Sequence, residues 1–172
     1  PAVTDAHFFP LLVLDAALTG AKGVNLWTSF RNPPPQRSAR LYRALVDRGL
    51  ASSVQGGIVP TQQPFLYTVS ATVTEGTPLQ AVEDAALCEL EAVQRAGITP
   101  EELARAKHQL RARMVFEGDS ISNIAHQLGY FETIASWQVY ASLPSSIDAV
   151  TLDQVSAAAA SCLRSTNRTI GT

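Results

Sequence analysis

The chain has 172 residues, of which 46% are apolar and 16% are charged, and its formal net charge is −2. This composition is typical of a folded globular domain and excludes an intrinsically disordered chain. The near-neutral charge gives no reason to expect a nucleic acid or an anionic membrane as a partner, and no apolar run approaches the roughly 20 residues of a membrane-spanning helix.

The first predicted element is a helix over residues 5–18, where apolar side chains are dense enough for deep burial. An irregular stretch over residues 19–37 follows. Its three consecutive prolines at 33–35 predict a stiff spacer that packs on its own domain, with a ligand for a proline-binding module as the alternative. Trp27 and Phe30 predict a docked loop, because large aromatic side chains are rarely left in water.

Residues 38–59 predict a helix, a tight break and a strand. Ser38 is the predicted N-cap, and Gly49 is the predicted helix end because glycine adopts the left-handed conformation without steric cost. The apolar residues of the helix recur at the spacing of one buried face. That face is predicted to hold Leu41, Tyr42, Leu45 and Val46.

Two strands, over residues 52–59 and 65–73, are predicted to form an antiparallel hairpin around residues 60–64. In the second strand apolar and polar residues alternate, which places the apolar set, including Phe65, on one face of a sheet. Gly56 and Gly57 weaken the first strand and predict a bulge there.

The second half of the chain is predicted to be mainly helical. A threonine followed three residues later by Gln or Glu predicts helix starts at Thr77, Thr99 and Thr151, and a further helix is predicted over residues 120–134. A short strand over residues 167–171 is predicted to return beside the hairpin. Strands at both ends with helices between them predict an α+β fold, in which helices pack on one face of an antiparallel sheet.

Few side chains have the spacing that catalysis or metal binding requires. None of His7, His108 and His126 has a second histidine or a glutamate at the offset of a zinc motif, and a site assembled from all three is the remaining alternative. Nucleophile-elbow and phosphate-loop motifs are absent from the sequence. Cys88 and Cys162 are predicted to be small buried residues. The residues therefore predict no catalytic group and no metal site in this chain.

Five segments, in this order, resemble the pitrilysin/insulinase family of zinc peptidases, and specifically the second, metal-free domain of a bacterial member. They are RLYRALVDRGLASSV, PFLYTVSATVTEG, GITPEELARAKHQLRAR, VTLDQVSAAAASCL and NRTIGT. The resemblance implies the layered α+β fold of pitrilysin-like and LuxS-like metalloenzymes. It also implies one peptidase-like domain over residues 1–172, expected to be a C-terminal piece of a longer chain. The family's metal motif, His-x-x-Glu-His on a helix, is missing here.

The resemblance implies a non-catalytic domain that holds substrate and closes a peptide chamber with a homologous metal-bearing domain, in cis or in trans. No cofactor is expected in this chain, and zinc is expected in the partner domain of a metalloendopeptidase from the bacterial cytoplasm or periplasm. A scaffold or assembly subunit without peptidase activity is the alternative. A small-ligand domain with a pocket beside Trp27 is a third interpretation.

In many relatives an arginine, and a tyrosine seven residues after it, reach the active site and hold the substrate. Here Ser52 matches the tyrosine position, and Leu45 or Val46 matches the arginine position, so both polar contacts are lost. Tyr42 and Arg43 are the nearest substitutes and, with Ser52, are the candidate substrate-binding residues. The alternative is a solvated arginine beside a core tyrosine. An open sheet edge that pairs with the backbone of an extended peptide is a further candidate.

Overall fold

The computed structural model describes residues 1–24, 36–117 and 120–171. Trp27, Phe30 and the prolines at 33–35 lie outside these residues, so the predicted docked loop stays a prediction. The elements in chain order are α1 (Phe8–Thr19), α2 (Tyr42–Val46), β1 (Ala51–Gly57), β2 (Thr68–Val73), α3 (Leu79–Ala96), α4 (Pro100–Glu117), α5 (Ile121–Ile134), α6 (Trp137–Ala149) and α7 (Leu152–Cys162), followed by a 3-10 turn at Ser165–Asn167.

Helix α1 forms the centre of the hydrophobic core. It is apolar on all sides, and every residue except Phe9 is buried. A helix of this kind must be covered all round, and here α4, α7 and β1 pack against it. Pro10 lies in the first turn, where the missing N–H costs no hydrogen bond.

Strands β1 and β2 pair in antiparallel register, as predicted. Tyr67 and Val69 of the second predicted strand pack against the core, whereas Ser70 and Thr72 are exposed, so part of the predicted alternation is present. Phe65 and Ala71 of the predicted apolar face are exceptions: Phe65 precedes β2 and is 63% exposed, and Ala71 is exposed within β2. In the described part of the chain the helices therefore cover one face of an antiparallel sheet of two strands, and the predicted α+β fold is confirmed.

Helix α2 is wider than the predicted α-helix. The N–H of Asp47 donates to the C=O of Tyr42 at 3.1 Å and the N–H of Leu50 to the C=O of Leu45 at 2.9 Å, which are the five-residue turns of a π-helix. Gly49 ends the turn with φ +74°, as predicted. Leu41 and Leu45 are fully buried.

Two of the three threonine capping signals form as predicted. Thr99 and Thr151 each accept a hydrogen bond from the backbone three residues on, and the acidic or amide side chain there reaches back to the threonine N–H. Thr77 does not, because Pro78 occupies the N-cap position of α3 and no side chain caps it.

Several predictions are wrong. Residues 168–171 form an exposed extended tail instead of the predicted strand, and their only large apolar side chain, Ile170, is 47% exposed. Helix α6 is not among the predicted elements. Cys88 is exposed. Ile121, whose helical spacing predicts burial, is 87% exposed. None of the described helices combines the length and apolarity needed to cross a bilayer.

Candidate functional site

The segment that carries the predicted substrate-binding residues is anchored to helix α4 by an ion pair. Arg40 Nε and Nη2 each lie 2.7 Å from an oxygen of Glu102, in a two-pronged contact. Glu102 also accepts from the N–H of Thr99 at 2.9 Å and so closes the capping box of α4. The carboxylate thus fixes the start of α4 and the start of the α2 segment together.

The pKa of Glu102 lies below its usual value of 4.5. Burial alone raises the pKa of this carboxyl, but the hydrogen bonds from Arg40 and from the Thr99 backbone, together with the charge of Arg40, outweigh burial. The pair therefore stays charged at neutral pH and orients the exposed face of α2.

That exposed face carries Arg43, whose side chain is 57% exposed and whose Nη2 lies 4.0 Å from Glu102 Oε1. Tyr42 is half-buried. At the position that matches the family's arginine, Leu45 is fully buried and Val46 is half-buried. Neither Leu45 nor Val46 offers a polar group to a substrate.

Ser52 lies at a β-bulge. Ala51 pairs with Val73 and Ser53 pairs with Thr72, so Ser52 is the extra residue of β1. Its exposed side chain donates to the C=O of Thr72 at 3.2 Å. The predicted bulge at Gly56 and Gly57 is therefore wrong, and the structure gives Ser52 and Arg43 different partners.

The hairpin register determines which main-chain groups of β1 face away from β2. The N–H of Thr74 donates to the C=O of Leu50 at 3.1 Å, so this pair is hydrogen-bonded, and bonded and non-bonded pairs alternate from there along an antiparallel ladder. With the bulge counted, the pairs Val54–Ala71 and Gly56–Val69 are non-bonded. The main-chain groups of Val54 and Gly56 thus point to the outer edge of β1.

A buried polar cluster lies against this edge. Asp15 Oδ1 accepts from Thr19 at 2.8 Å and from Tyr67 at 3.0 Å. Lys22 Nζ lies 3.8 Å from Asp15 Oδ2, donates to Thr19 Oγ1 at 3.2 Å and also donates to the C=O of Gly56. The cluster joins α1, the segment after it, β1 and the residue that precedes β2.

Burial dominates the electrostatics of the cluster. It raises the pKa of Asp15, against the opposing charge of Lys22, and lowers the pKa of Lys22, against the opposing charge of Asp15. Burial, with the neighbouring carboxylate, also raises the pKa of Tyr67 well above its usual value. Sequence reasoning missed this cluster, although one signal was present: Asp15 is the only charged residue within the otherwise apolar α1.

The histidines are dispersed over three separate elements. His7 precedes α1 and is half-buried, whereas His108 on α4 and His126 on α5 are exposed. Within residues 1–24, 36–117 and 120–171, no group of three His, Cys, Asp or Glu side chains is placed to hold a metal ion. The donor set of this part of the chain does not fit a zinc site.

A cavity of about 230 Å³ lies between the segment after α1 and helices α4, α5 and α6. Within the described part of the chain, Gln127 Oε1 is buried at its wall without a hydrogen-bond partner. The small-ligand interpretation stays a prediction, because Trp27 lies outside the described residues. The cavity is lined by Val24, Met114, Gln127, Tyr140, Ala141, Leu143 and Pro144.

A family model described as the Peptidase M16 inactive domain matches residues 1–110, which is more than half of the chain. The chain belongs to this family. The match confirms the resemblance to the metal-free domain of pitrilysin/insulinase-type zinc peptidases. No curated protein matches the chain significantly.

Solved structures share the fold of this inactive peptidase domain. One is a zinc protease candidate from Bordetella pertussis Tohama I, at 24% identity and a TM-score of 0.79, with 98% of this chain and 86% of that chain covered. Another is the inactive peptidase domain of a zinc protease candidate from Bordetella parapertussis, at 23% identity and 0.79, with 99% and 85% covered. A protease from Helicobacter pylori aligns at 18% identity and 0.81, with 97% of this chain and 37% of that chain covered. At these identities the likeness establishes the fold alone.

Proposed function

We propose that this inactive M16 domain holds substrate for a zinc-dependent metalloendopeptidase-like protein and closes a peptide chamber with a homologous metal-bearing domain. The observation that supports this function best is the outer edge of β1, where the main-chain groups of Val54 face away from β2. Among the described residues, no hydrogen bond from another segment reaches Val54 on that edge. An extended peptide can pair there as an added strand.

Backbone pairing suits a domain that must accept many sequences. The main chain of every non-proline residue offers the same donor and acceptor, so affinity does not depend on particular side chains. In this proposal the domain keeps a substrate role although Ser52, and either Leu45 or Val46, are predicted to replace the polar pair of its relatives. Tyr42 and Arg43 are proposed to contact the peptide from the exposed side of α2.

The hydrolytic step belongs to the partner in this proposal. A metal ion bound in that domain would supply the activated water and the polarisation of the scissile carbonyl. The residues of this chain contribute binding and orientation of the peptide, and they exclude water from one side of the chamber.

The experiment combines the purified chain with the homologous metal-bearing domain from the same organism and measures cleavage of a quenched fluorescent peptide. We expect cleavage that EDTA abolishes for the mixture, and none for this chain alone. Val54→Pro removes an edge N–H that the hairpin does not use, and should raise KM while leaving association of the domains unchanged.

Ala71→Pro is the matched control, because Ala71 pairs with Val54 and its N–H faces the opposite edge of the hairpin. Equal kinetics for the two proline variants would refute the role of the β1 edge. Firm association of the domains without cleavage would instead support the scaffold alternative, which the burial of Leu45 and the intramolecular bond of Ser52 favour.

A further inference from the structure

We propose that Lys22 is a register stop, a residue that limits how far along the edge of β1 a peptide can pair. Its ammonium group donates a hydrogen bond to the C=O of Gly56 and so confines a paired peptide to the Val54 end of the strand. This inference rests on the proposed function and adds a specificity-determining residue to it.

The geometry supports a block at one defined position. Gly56 and Val54 are alternate residues, so both present their main-chain groups to the outer edge, where an added strand would bond to each. Lys22 Nζ donates to the C=O of Gly56, whereas no described group bonds to Val54 on that edge. A peptide that extends past Val54 thus meets an occupied acceptor and a cationic group.

The position of Lys22 is held by the residues beneath it. Asp15 and Thr19 of α1 both contact the ammonium group, and the Lys22 side chain is only 10% exposed. A charged group so deeply buried stays with its partners, because an unpaired charge in this environment is costly. The adjoining cavity, which Lys22, Gly57 and Leu110 help to line, has a volume of only about 10 Å³, about the space of one water molecule.

A lysine at a strand edge also has a protective consequence. Open edges pair with one another and lead to aggregation, and charged side chains are a common defence. Lys22 shortens the free edge of β1, so a short segment of peptide can bind while long edge-to-edge pairing is disfavoured.

The experiment measures binding of an N-acetylated, C-amidated heptapeptide of alternating threonine and valine to the ¹⁵N-labelled chain. In the wild type, amide shifts should change at residues 52–54 and not at Gly56 and Gly57. In Lys22→Met the footprint should extend to Gly56 and Gly57, and affinity should rise about tenfold, the scale of one or two hydrogen bonds.

Two further variants test whether a changed footprint is specific to Lys22 and whether the chain still folds without its charge. Lys107→Met is the matched control, because Lys107 Nζ also donates to a backbone C=O, that of Asp148 at 2.8 Å, but between α4 and α6. It should leave the footprint unchanged. Asp15→Asn/Lys22→Met removes both charges while the amide can still accept from Thr19 and Tyr67, so it keeps the test valid if Lys22→Met alone unfolds.

The possible failures are distinguishable. If the peptide binds at residues 52–54 with the same footprint and affinity in every variant, the register stop is overturned and the proposed function stands. If the peptide binds no edge amide in the wild type or in the variants, the proposed function is overturned and the register stop with it.

Discussion

Asp15 and Lys22 place opposite charges beneath a strand, and this arrangement explains the choice of glycine at position 56. The side chains of Asp15 and Thr19 lie directly against the Gly56 Cα, and a Cβ built there would approach Thr19 Oγ1 to 2.5 Å and Asp15 Oδ1 even more closely. Real Cβ atoms do not approach so closely, so α1 and β1 can sit at this separation only with glycine between them. Gly56 lowers the strand propensity of β1, but the close packing of α1 on β1 requires a glycine at this position.

Gly56→Ala should therefore lower the free energy of unfolding by about 1–3 kcal/mol, the usual cost of overpacking a well-filled site. Urea denaturation monitored by circular dichroism measures this loss. The matched control is Gly129→Ala on α5, where a Cβ would meet nothing within 4 Å. There alanine should stabilise the chain by about 0.5–1 kcal/mol, because glycine in a helix is entropically unfavourable. Equal effects of the two substitutions would contradict the close approach of α1 to β1.

Glu102 predicts a pH dependence of stability. Its pKa in the folded chain lies below the usual 4.5, so its contribution is fully present above about pH 4.5 and is lost as the pH falls through the folded value. Glu102→Gln should lower the free energy of unfolding at pH 7 by about 1.5–3 kcal/mol, the range for hydrogen bonds to charged groups. The difference between wild type and variant should shrink below pH 4.5.

The control for this prediction is Glu91→Gln, which alters an exposed glutamate of α3 and should change stability little. Urea denaturation at a series of pH values from 3 to 8 gives both curves. A difference between wild type and Glu102→Gln that stays constant, or grows, towards acid pH would show that the Arg40–Glu102 pair does not stabilise the fold through its charge.

At the scale of elements, the same capping pattern forms its hydrogen bonds at Thr151 but not at Thr77. Thr151→Ala should cost about 1 kcal/mol, because Thr151 caps α7 through the N–H of Gln154 at 3.3 Å. Thr77→Ala, which alters the same pattern, should cost close to nothing, since no side chain caps α3. Thermal or urea unfolding of the two variants tests this, and a comparable loss for Thr77→Ala would place a cap on α3 after all.

Local patterns predicted the elements whose signals are local. The deep burial of α1, part of the alternation in β2 and the boxes at Thr99 and Thr151 each depend on residues within a turn or two, and all are present. Helix α6 was missed because Pro144 lies inside it, where proline normally breaks a helix. Burial of Leu143 and Ile147 in the core offsets that cost, and such packing cannot be read from a single segment.

The candidate site was less predictable for the same reason. The contacts that shape it join distant positions: Tyr67 bonds Asp15 across 52 residues, and Arg40 bonds Glu102 across 62. The bulge was placed on the glycines because glycine favours irregular strands, but the register puts it at Ser52. The residues that match the family's substrate-contacting pair came from the resemblance and not from any periodicity.

For the molecule as a whole, the fold of an inactive peptidase domain is kept although the family's metal motif is absent from the sequence. Fold and function are separable in this way, because the core residues that specify the layers are not those that perform the chemistry. Leu45 is an example: it is one of the two residues predicted to match the family's arginine, and it is fully buried in the core. What the fold still presents on its surface is the backbone edge of β1 and the exposed face of α2, the two features that the proposed function assigns to a bound peptide.

Restoring the tyrosine tests whether that geometry still serves a peptidase. Ser52 is exposed at the bulge, so Ser52→Tyr adds a hydroxyl at the position that resembles the family's tyrosine without disturbing the core. If the assembled protein is a peptidase, we expect KM for the fluorescent peptide to fall about threefold to tenfold, the effect of one added hydrogen bond. Ser53→Tyr is the control, because Ser53 bonds Thr72 Oγ1 at 3.1 Å and does not occupy the bulge position. A fall in KM with Ser52→Tyr alone would mean that the chamber retains its productive geometry, whereas unchanged kinetics in both variants would mean that Ser52 lies away from the bound peptide.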